Sequence, residues 1–123
     1  MTTLFPPLGL IVREPWAGML VDGVKTWEIR SRDTHVRGRI GLIRGGSGLV
    51  IGSTILIKTF RVTRERLLAN RAKHRMSESE VAALFRPGSN YRTPWAWEMA
   101  SPRRFAVPRP YRHHDGAVIW VRL

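Results

Sequence analysis

The stretch that decides the fold is GVKTWEIR, residues 23–30, which fits the pattern G-x-K-x-x-E-x-R. Asp22-Gly23 is typical of a helix end, because glycine readily adopts the backbone conformation found just past a helix. From Thr26 onward the residues alternate, which predicts a strand over residues 25–31. Trp27 and Ile29 point to one face, and Thr26, Glu28 and Arg30 point to the other. The motif therefore predicts a half-buried strand with a charged face.

Short strands and short helices are predicted on both sides of this motif. Toward the amino terminus, the apolar run 8–12 lies between prolines and predicts a buried strand. Pro15 then opens a short helix that carries Trp16, because proline is favoured in the first turn of a helix. Toward the carboxy terminus, strands are predicted over 40–43 and 49–60, separated by the glycine-rich turn 45–48.

The second half of the chain begins with two helix starts. Thr63 is a typical cap for a helix over 64–71 or slightly beyond, and Ser77 with Glu80 forms a capping box for a helix that runs through Phe85. Final strands are predicted over 95–100 and 117–123. Between these two strands, Pro102, Pro108 and Pro110 favour an edge or an irregular path, because proline cannot donate to a strand ladder.

Three further stretches near the carboxy terminus resemble the same protein family as the motif does. They are WAWE at 95–98, PRR at 102–104 and PRPY at 108–111, followed by a closing strand over 118–121. With GVKTWEIR, the chain resembles the ASCH domain family, a branch of the PUA-like superfamily. The resemblance implies a single domain over 1–123 of mainly β, α+β class: a small five- to six-stranded PUA-like β-barrel flanked by two or three short helices. It also implies a cleft beside the motif.

The composition is that of a soluble globular protein with an unusual charge. The chain has 123 residues, a length that fits one domain, and no cysteine, which excludes disulfides and thiolate zinc sites. No segment fits a signal peptide or a membrane span, so we expect a cytoplasmic protein and no membrane partner. Lysine and arginine total 21 against 9 acidic residues, a net charge of +12, and arginine supplies 18 of the 21.

An arginine-rich surface of this kind favours a polyanionic partner, and nucleic acid is the most common one. The alternative is that a GC-rich genome favours arginine codons without any binding role. Two clusters carry most of the charge, the run 58–75 and the group formed by Arg103, Arg104, Arg109 and Arg112. For nucleic acid, the predicted contacts in these clusters are Arg64, Arg66, Arg103 and Arg104.

In the motif itself, the predicted ligand contacts are Gly23, Lys25, Glu28 and Arg30, with Trp16 as an aromatic platform for a base. Each has a structural alternative. Glu28 and Arg30 are two apart on one face and fit an ion pair between strands, and Trp16 fits a place at the rim of the core. For Lys25, the family resemblance implies a functional role. We therefore predict binding of RNA, or another single-stranded nucleic acid, or a modified nucleoside, without a cofactor. A DNA-binding coregulator-like module is a weaker hypothesis.

The second hypothesis is a hydrolase, either a ribonuclease or an N4-acetylcytidine amidohydrolase, as some ASCH relatives are described. The amidohydrolase pattern combines the motif lysine, a threonine three residues later and a glutamate from the helical region. Lys25 matches, but Glu28 stands at the threonine position. The catalytic residues would then be Lys25 and Glu28, with Glu78 and Ser101 as weaker candidates.

A metal site is not predicted. His113 and His114 are followed by Asp115, but adjacent residues point apart on a strand, and no helical spacing or cysteine supports a metal site.

Overall fold

The computed structural model describes residues 5–91 and 93–123, which form six strands and four short helices. The strands are β1 (Leu8–Val12), β2 (Trp27–Arg30), β3 (Gly38–Arg44), β4 (Leu49–Arg61), β5 (Trp95–Pro110) and β6 (Trp120–Arg122). The helices are α1 (Trp16–Val21), α2 (Arg64–Ala69), α3 (Arg71–His74) and α4 (Glu78–Leu84). The mainly β class predicted from the sequence is confirmed.

All six strands belong to one curled sheet in the order β2-β5-β4-β3-β1-β6. The pairs are antiparallel except for β1 with β3. Because β2 and β6 are the two ends of the order, the sheet is a half-barrel with an open side, within the predicted range of five to six strands. The second half of the motif forms β2, at one margin of this opening.

Helix α1 closes one end of the half-barrel over the main hydrophobic core. Its buried residues Ala17, Leu20 and Val21 pack with core residues of β1, β3, β4 and β5. The approach to β4 is close at Gly52, where an added Cβ would lie 2.1 Å from Val21 Cγ2 and 2.3 Å from the Arg103 carbonyl oxygen. Glycine is therefore required at position 52 by packing, because no larger side chain fits between helix and strand.

The helical region differs from the prediction at one point. Thr63 caps α2, and its hydroxyl accepts the Arg66 N–H, as predicted. The predicted helix over 64–71 is wrong, however, because it stops at Ala69 and a separate turn, α3, begins at Arg71. Asn70, between them, has non-helical backbone angles. The break raises the number of short helices from the predicted two or three to four.

Strand β5 is longer than predicted and runs through all three prolines. Its first part pairs with both neighbours, but beyond Glu98 it pairs only with β4, so the prolines lie on an edge. The β4–β5 register also shifts between Val50 and Gly52, whose partners are Arg109 and Arg104. The predicted edge or irregular path is therefore confirmed, whereas the predicted strand end at Ala100 is wrong.

No helix in the described segments is long and apolar enough to cross a membrane.

Candidate functional site

The open side of the half-barrel contains a cleft of about 350 Å³, which we call the motif cleft. Three parts of the chain enclose it: the end of β1 with the start of α1, the motif strand β2, and α4 with the segments around it. Its polar and aromatic lining residues are Arg13, Trp16, Lys25, Glu28, Arg30, Glu80 and Tyr91. Its apolar lining residues are Ile11, Ile29, Met76, Leu84 and Val118. The volume lies at the lower end of the range for small-molecule sites, at roughly 300 Å³ and above.

Lys25 is the most buried cation of the cleft, with 2% of its surface exposed. Its Nζ donates to the His74 carbonyl oxygen at 2.8 Å, lies 3.5 Å from Glu28 Oε1 and sits 4.9 Å from the centre of the Trp16 ring. Burial lowers the pKa of the Lys25 ammonium below its usual 10.5, and the charge of Glu28 opposes this shift. Lys25 is thus a directed donor fixed on a carbonyl, a carboxylate and an aromatic ring.

Glu28 and Arg30 form the ion pair that was the structural alternative for these residues. Arg30 Nε donates to Glu28 Oε2 at 2.8 Å, and Arg30 Nη2 donates to the Ile11 carbonyl oxygen, also at 2.8 Å. Because Ile11 is on β1, the Arg30 side chain bridges the opening between the two ends of the sheet. On the predicted charged face of this strand, Glu28 is 6% exposed and Arg30 is partly exposed, so this face is more buried than the sequence predicted.

His74 is the fully buried support beneath Lys25. Its Nδ1 accepts the Met76 N–H at 3.0 Å, so its Nε2 carries the proton and donates to the Leu67 carbonyl oxygen. Burial lowers the pKa of His74, and the positive charges of Lys25 and Arg71 lower it further, against the bond to Leu67. The neutral ring fixes the α3–α4 turn, whose carbonyl at His74 in turn fixes Lys25.

The acidic residue that α4 contributes to the cleft is Glu80, and the predicted Glu78 does not line it. Glu80 Oε1 accepts the Ser77 N–H at 2.8 Å and completes the predicted capping box. Glu80 and Lys25 line the same cleft, and the charge of Glu80 slightly raises the pKa of Lys25 against the effect of burial. The capping box alone accounts for a glutamate at position 80. Nothing further in the sequence therefore indicates that this residue faces the cleft.

The motif cleft brings together four of the predicted site residues: Trp16, Lys25, Glu28 and Arg30. Gly23, with φ +76°, makes the turn before them but does not line the cleft. Ser101 is exposed, and its carbonyl accepts from Arg39 at 3.3 Å, away from the cleft. Sequence reasoning missed Arg13, and also Met76, Leu84 and Val118, since an apolar or isolated cationic residue carries no signal of a site.

The four arginines predicted to contact phosphate lie outside the motif cleft and fall into two groups. Arg104 is held by Asp22 in a bidentate ion pair at 2.8 and 2.9 Å, and Arg66 lies over the rings of Trp27 and Phe60. Arg64 and Arg103 have no acidic partner among the described residues. Of the four, only Arg64 and Arg103 therefore have guanidinium groups without a described partner.

No group of three or more metal-ligating side chains is found within residues 5–91 and 93–123. The His113 ring is in contact with Tyr111, whose hydroxyl is 2.9 Å from His113 Nδ1.

The family model that matches this chain is the ASCH domain, over residues 10–109. Among solved structures, the chain is similar to an ASCH protein from Zymomonas mobilis, with a TM-score of 0.73 at 18% identity, covering 94% of this chain and 86% of that one. Two single-residue variants of the same protein give TM-scores of 0.73 and 0.72 at 17% and 18% identity, covering 94% and 97% of this chain and 88% and 91% of theirs. No curated protein matches.

Proposed function

This chain belongs to the ASCH domain family, and from that premise and the geometry of the motif cleft we propose that it binds a nucleobase of single-stranded RNA, or a modified nucleobase. One observation carries the proposal. A cavity of about 350 Å³ combines the cations Lys25 and Arg30, the carboxylates of Glu28 and Glu80, and the aromatic ring of Trp16. Nucleobases are flat rings edged with hydrogen-bond donors and acceptors, and proteins bind them with these groups.

The charge distribution supports a polyanionic ligand. Within the described residues, four basic side chains form ion pairs with a carboxylate: Lys25, Arg30, Arg44 and Arg104. The other described lysines and arginines carry their charge without such a partner, in a chain of net charge +12. Uncompensated cations on this scale favour a strand with phosphates over an uncharged ligand.

The test is binding of labelled single-stranded RNA to the wild type and to Lys25→Met, with the same substitution at the exposed Lys58 as the matched control. We expect Lys25→Met to bind about tenfold more weakly, because it removes a charged donor from the cleft. Lys58→Met removes one exposed charge at the start of the run 58–75 and nothing from the cleft, so it should bind within about threefold of the wild type. Equal affinity in wild type and Lys25→Met, or no binding of RNA by either, would contradict the proposal.

A second function, hydrolysis of an acyl group on the base, is favoured by Glu80. Both Glu28 oxygens face cations, whereas Glu80 Oε2 has no hydrogen bond among the described residues. In this scheme Glu80 takes a proton from a water that adds to the acyl carbon, and Lys25 stabilises the negative oxygen. Glu80 then gives this proton to the leaving nitrogen as the carbon–nitrogen bond breaks, and with N4-acetylcytidine the products are acetate and cytidine.

Two glutamates in the first turn of α4, Glu78 and Glu80, separate this function from binding alone. If the protein is an amidohydrolase, wild type and Glu78→Gln should both release acetate from N4-acetylcytidine, and Glu80→Gln should lose the activity by about a hundredfold. The glutamine at position 80 keeps an acceptor for the Ser77 N–H, so the helix cap is preserved. Absence of acetate with all three proteins, together with RNA binding, would make the protein a binding module only.

A further inference from the structure

A second groove lies directly beside the motif cleft. Its volume is about 480 Å³, and it lies between the turn at Gly46 and Gly48 and the aromatic pair Tyr111 and His113. Ile11 and Val118 line both this groove and the motif cleft. Because the two spaces share these walls, a ligand in the motif cleft reaches the second groove by extending past two side chains.

The second groove has the features of a site for a flat ring. Tyr111 and His113 are joined at 2.9 Å between the hydroxyl and Nδ1, and the Tyr111 N–H donates to the Gly48 carbonyl at 3.2 Å, which fixes both rings beside the turn. At Gly46 and Gly48 an added Cβ would meet no atom within 4 Å. The floor of the groove is therefore bare backbone with open space above it, and its wall is aromatic, as in sites that stack bases.

Arg13 is a cation of the motif cleft whose backbone lies beside the turn that leads to the second groove. It lines the motif cleft, and its Cα is 3.6 Å from the Cβ position of Gly45, the first residue of the turn. Its side chain is exposed, with no hydrogen bond or ion pair to the rest of the described chain. The neighbouring Glu14 is occupied by the Gly18 N–H at 2.7 Å and by Arg44 at 3.0 Å, so its carboxylate does not neutralise Arg13.

We propose that the second groove holds the next nucleotide of the strand, with its ring against Tyr111 and His113 and the linking phosphate on Arg13. This inference rests on the proposed function and defines its substrate class. The ligand is an oligonucleotide of two or more nucleotides, and a free nucleoside fills only half of the site.

The experiment is calorimetry with three ligands of increasing size: the ribonucleosides, their 3′- and 5′-monophosphates, and the matching homodinucleotides. We expect the monophosphate of the preferred base to bind about fivefold more tightly than the nucleoside, through Arg13. We expect the dinucleotide to bind about tenfold more tightly than the monophosphate, through the second ring.

Two variants assign the gains to residues. Arg13→Gln should abolish the gain from the phosphate, and Tyr111→Leu, which keeps an apolar side chain, should abolish the gain from the second nucleotide. Arg122→Gln, on the far end of β6, is the control of equal charge and should change neither. Tyr111→Leu and Arg122→Gln should bind the nucleoside like the wild type, and the phosphate gain of Arg13→Gln is measured relative to its own affinity for the nucleoside.

The outcomes separate the two proposals. Nucleoside binding without any gain from the dinucleotide would overturn the second site and leave the motif cleft intact. A dinucleotide gain that survives in Tyr111→Leu would also overturn it. Binding of none of the ligands would overturn the proposed function, and this inference with it.

Discussion

Burial of His74 makes the stability of the protein depend on pH. Burial lowers the pKa of His74 in the folded protein. As the pH falls through about 6.5, the His74 ring is therefore protonated in the unfolded chain at a higher pH than in the folded protein. The contribution of the neutral His74 ring to folding stability is therefore fully present above pH 6.5. It decreases as the pH falls from 6.5 toward the pKa of the folded state. We expect a loss of up to about 1.4 kcal/mol in the free energy of unfolding at pH 5.5 relative to pH 7.5.

Urea denaturation at the two pH values measures this loss, and NMR of the His74 ring measures its cause. The Nε2-protonated form should persist below pH 6, since the Met76 N–H points at Nδ1. His35→Gln, at an exposed site with no hydrogen bond from its ring, is the control and should keep the pH dependence. A ring that becomes charged at or above pH 6.5, with the fold unchanged, would contradict the prediction.

Single residues of the site were predictable where the signal was local. Trp16, Lys25, Glu28 and Arg30 lie within 15 residues of one another, and strand alternation and the family resemblance identified them before the fold was known. Glu80 was not found, because its place in the wall of the cleft depends on tertiary packing and not on its neighbours in sequence. Glu78 lies outside the cleft for a related reason: residues two apart on a helix face nearly opposite directions, and only tertiary packing decides which of them faces the cleft.

At the scale of elements, the strongest sequence signals were caps and turns. The capping box of α4, the Thr63 cap of α2 and the Gly45–Gly48 turn all lie where predicted, since each depends on contacts within four residues. The break at Asn70 also has a local contact, because the Asn70 side-chain amide donates to the Arg66 carbonyl oxygen at 2.7 Å, four residues back, but a single asparagine did not predict it. Beyond the break, α3 brings the His74 carbonyl oxygen to Lys25, a contact between residues 49 apart in the chain.

For strand β5, the sequence predicted too early an end. Its prolines are poor strand residues, and the sequence predicted that the strand ends before them. The strand continues because β2 is short and stops pairing at Glu98, so the later part of β5 needs hydrogen bonds on one side only. The length of a neighbouring strand therefore decides whether proline is tolerated, and that length is a property of the sheet.

At the scale of the whole molecule, the net charge of +12 predicts how binding responds to salt. For a single strand, each phosphate contact contributes about −0.7 to the slope of log K against log salt concentration. A base held in the motif cleft alone would give a slope near zero. A strand that also follows the arginine surface should give a slope of −2 or steeper, from about three contacts.

Arg64 and Arg103 test whether the surface predicted from sequence contributes to that slope. Both lack a described carboxylate partner, unlike Arg104, and neither lies over an aromatic ring of the described structure, unlike Arg66. We expect the double variant Arg64→Gln/Arg103→Gln to make the slope shallower by about 1.4, at little cost in stability. The double variant Arg86→Gln/Arg122→Gln removes the same net charge outside both clusters and should keep the wild-type slope.

Fluorescence titration of a labelled RNA across salt concentrations decides between the two origins of the arginine content. If both double variants change the slope equally, net charge alone attracts the strand, and no defined phosphate path exists. If neither changes it, the arginine content reflects codon usage, which was the alternative from composition. A change confined to Arg64→Gln/Arg103→Gln means that the strand runs from the motif cleft across a defined surface, because counterions are released only where phosphates contact cations.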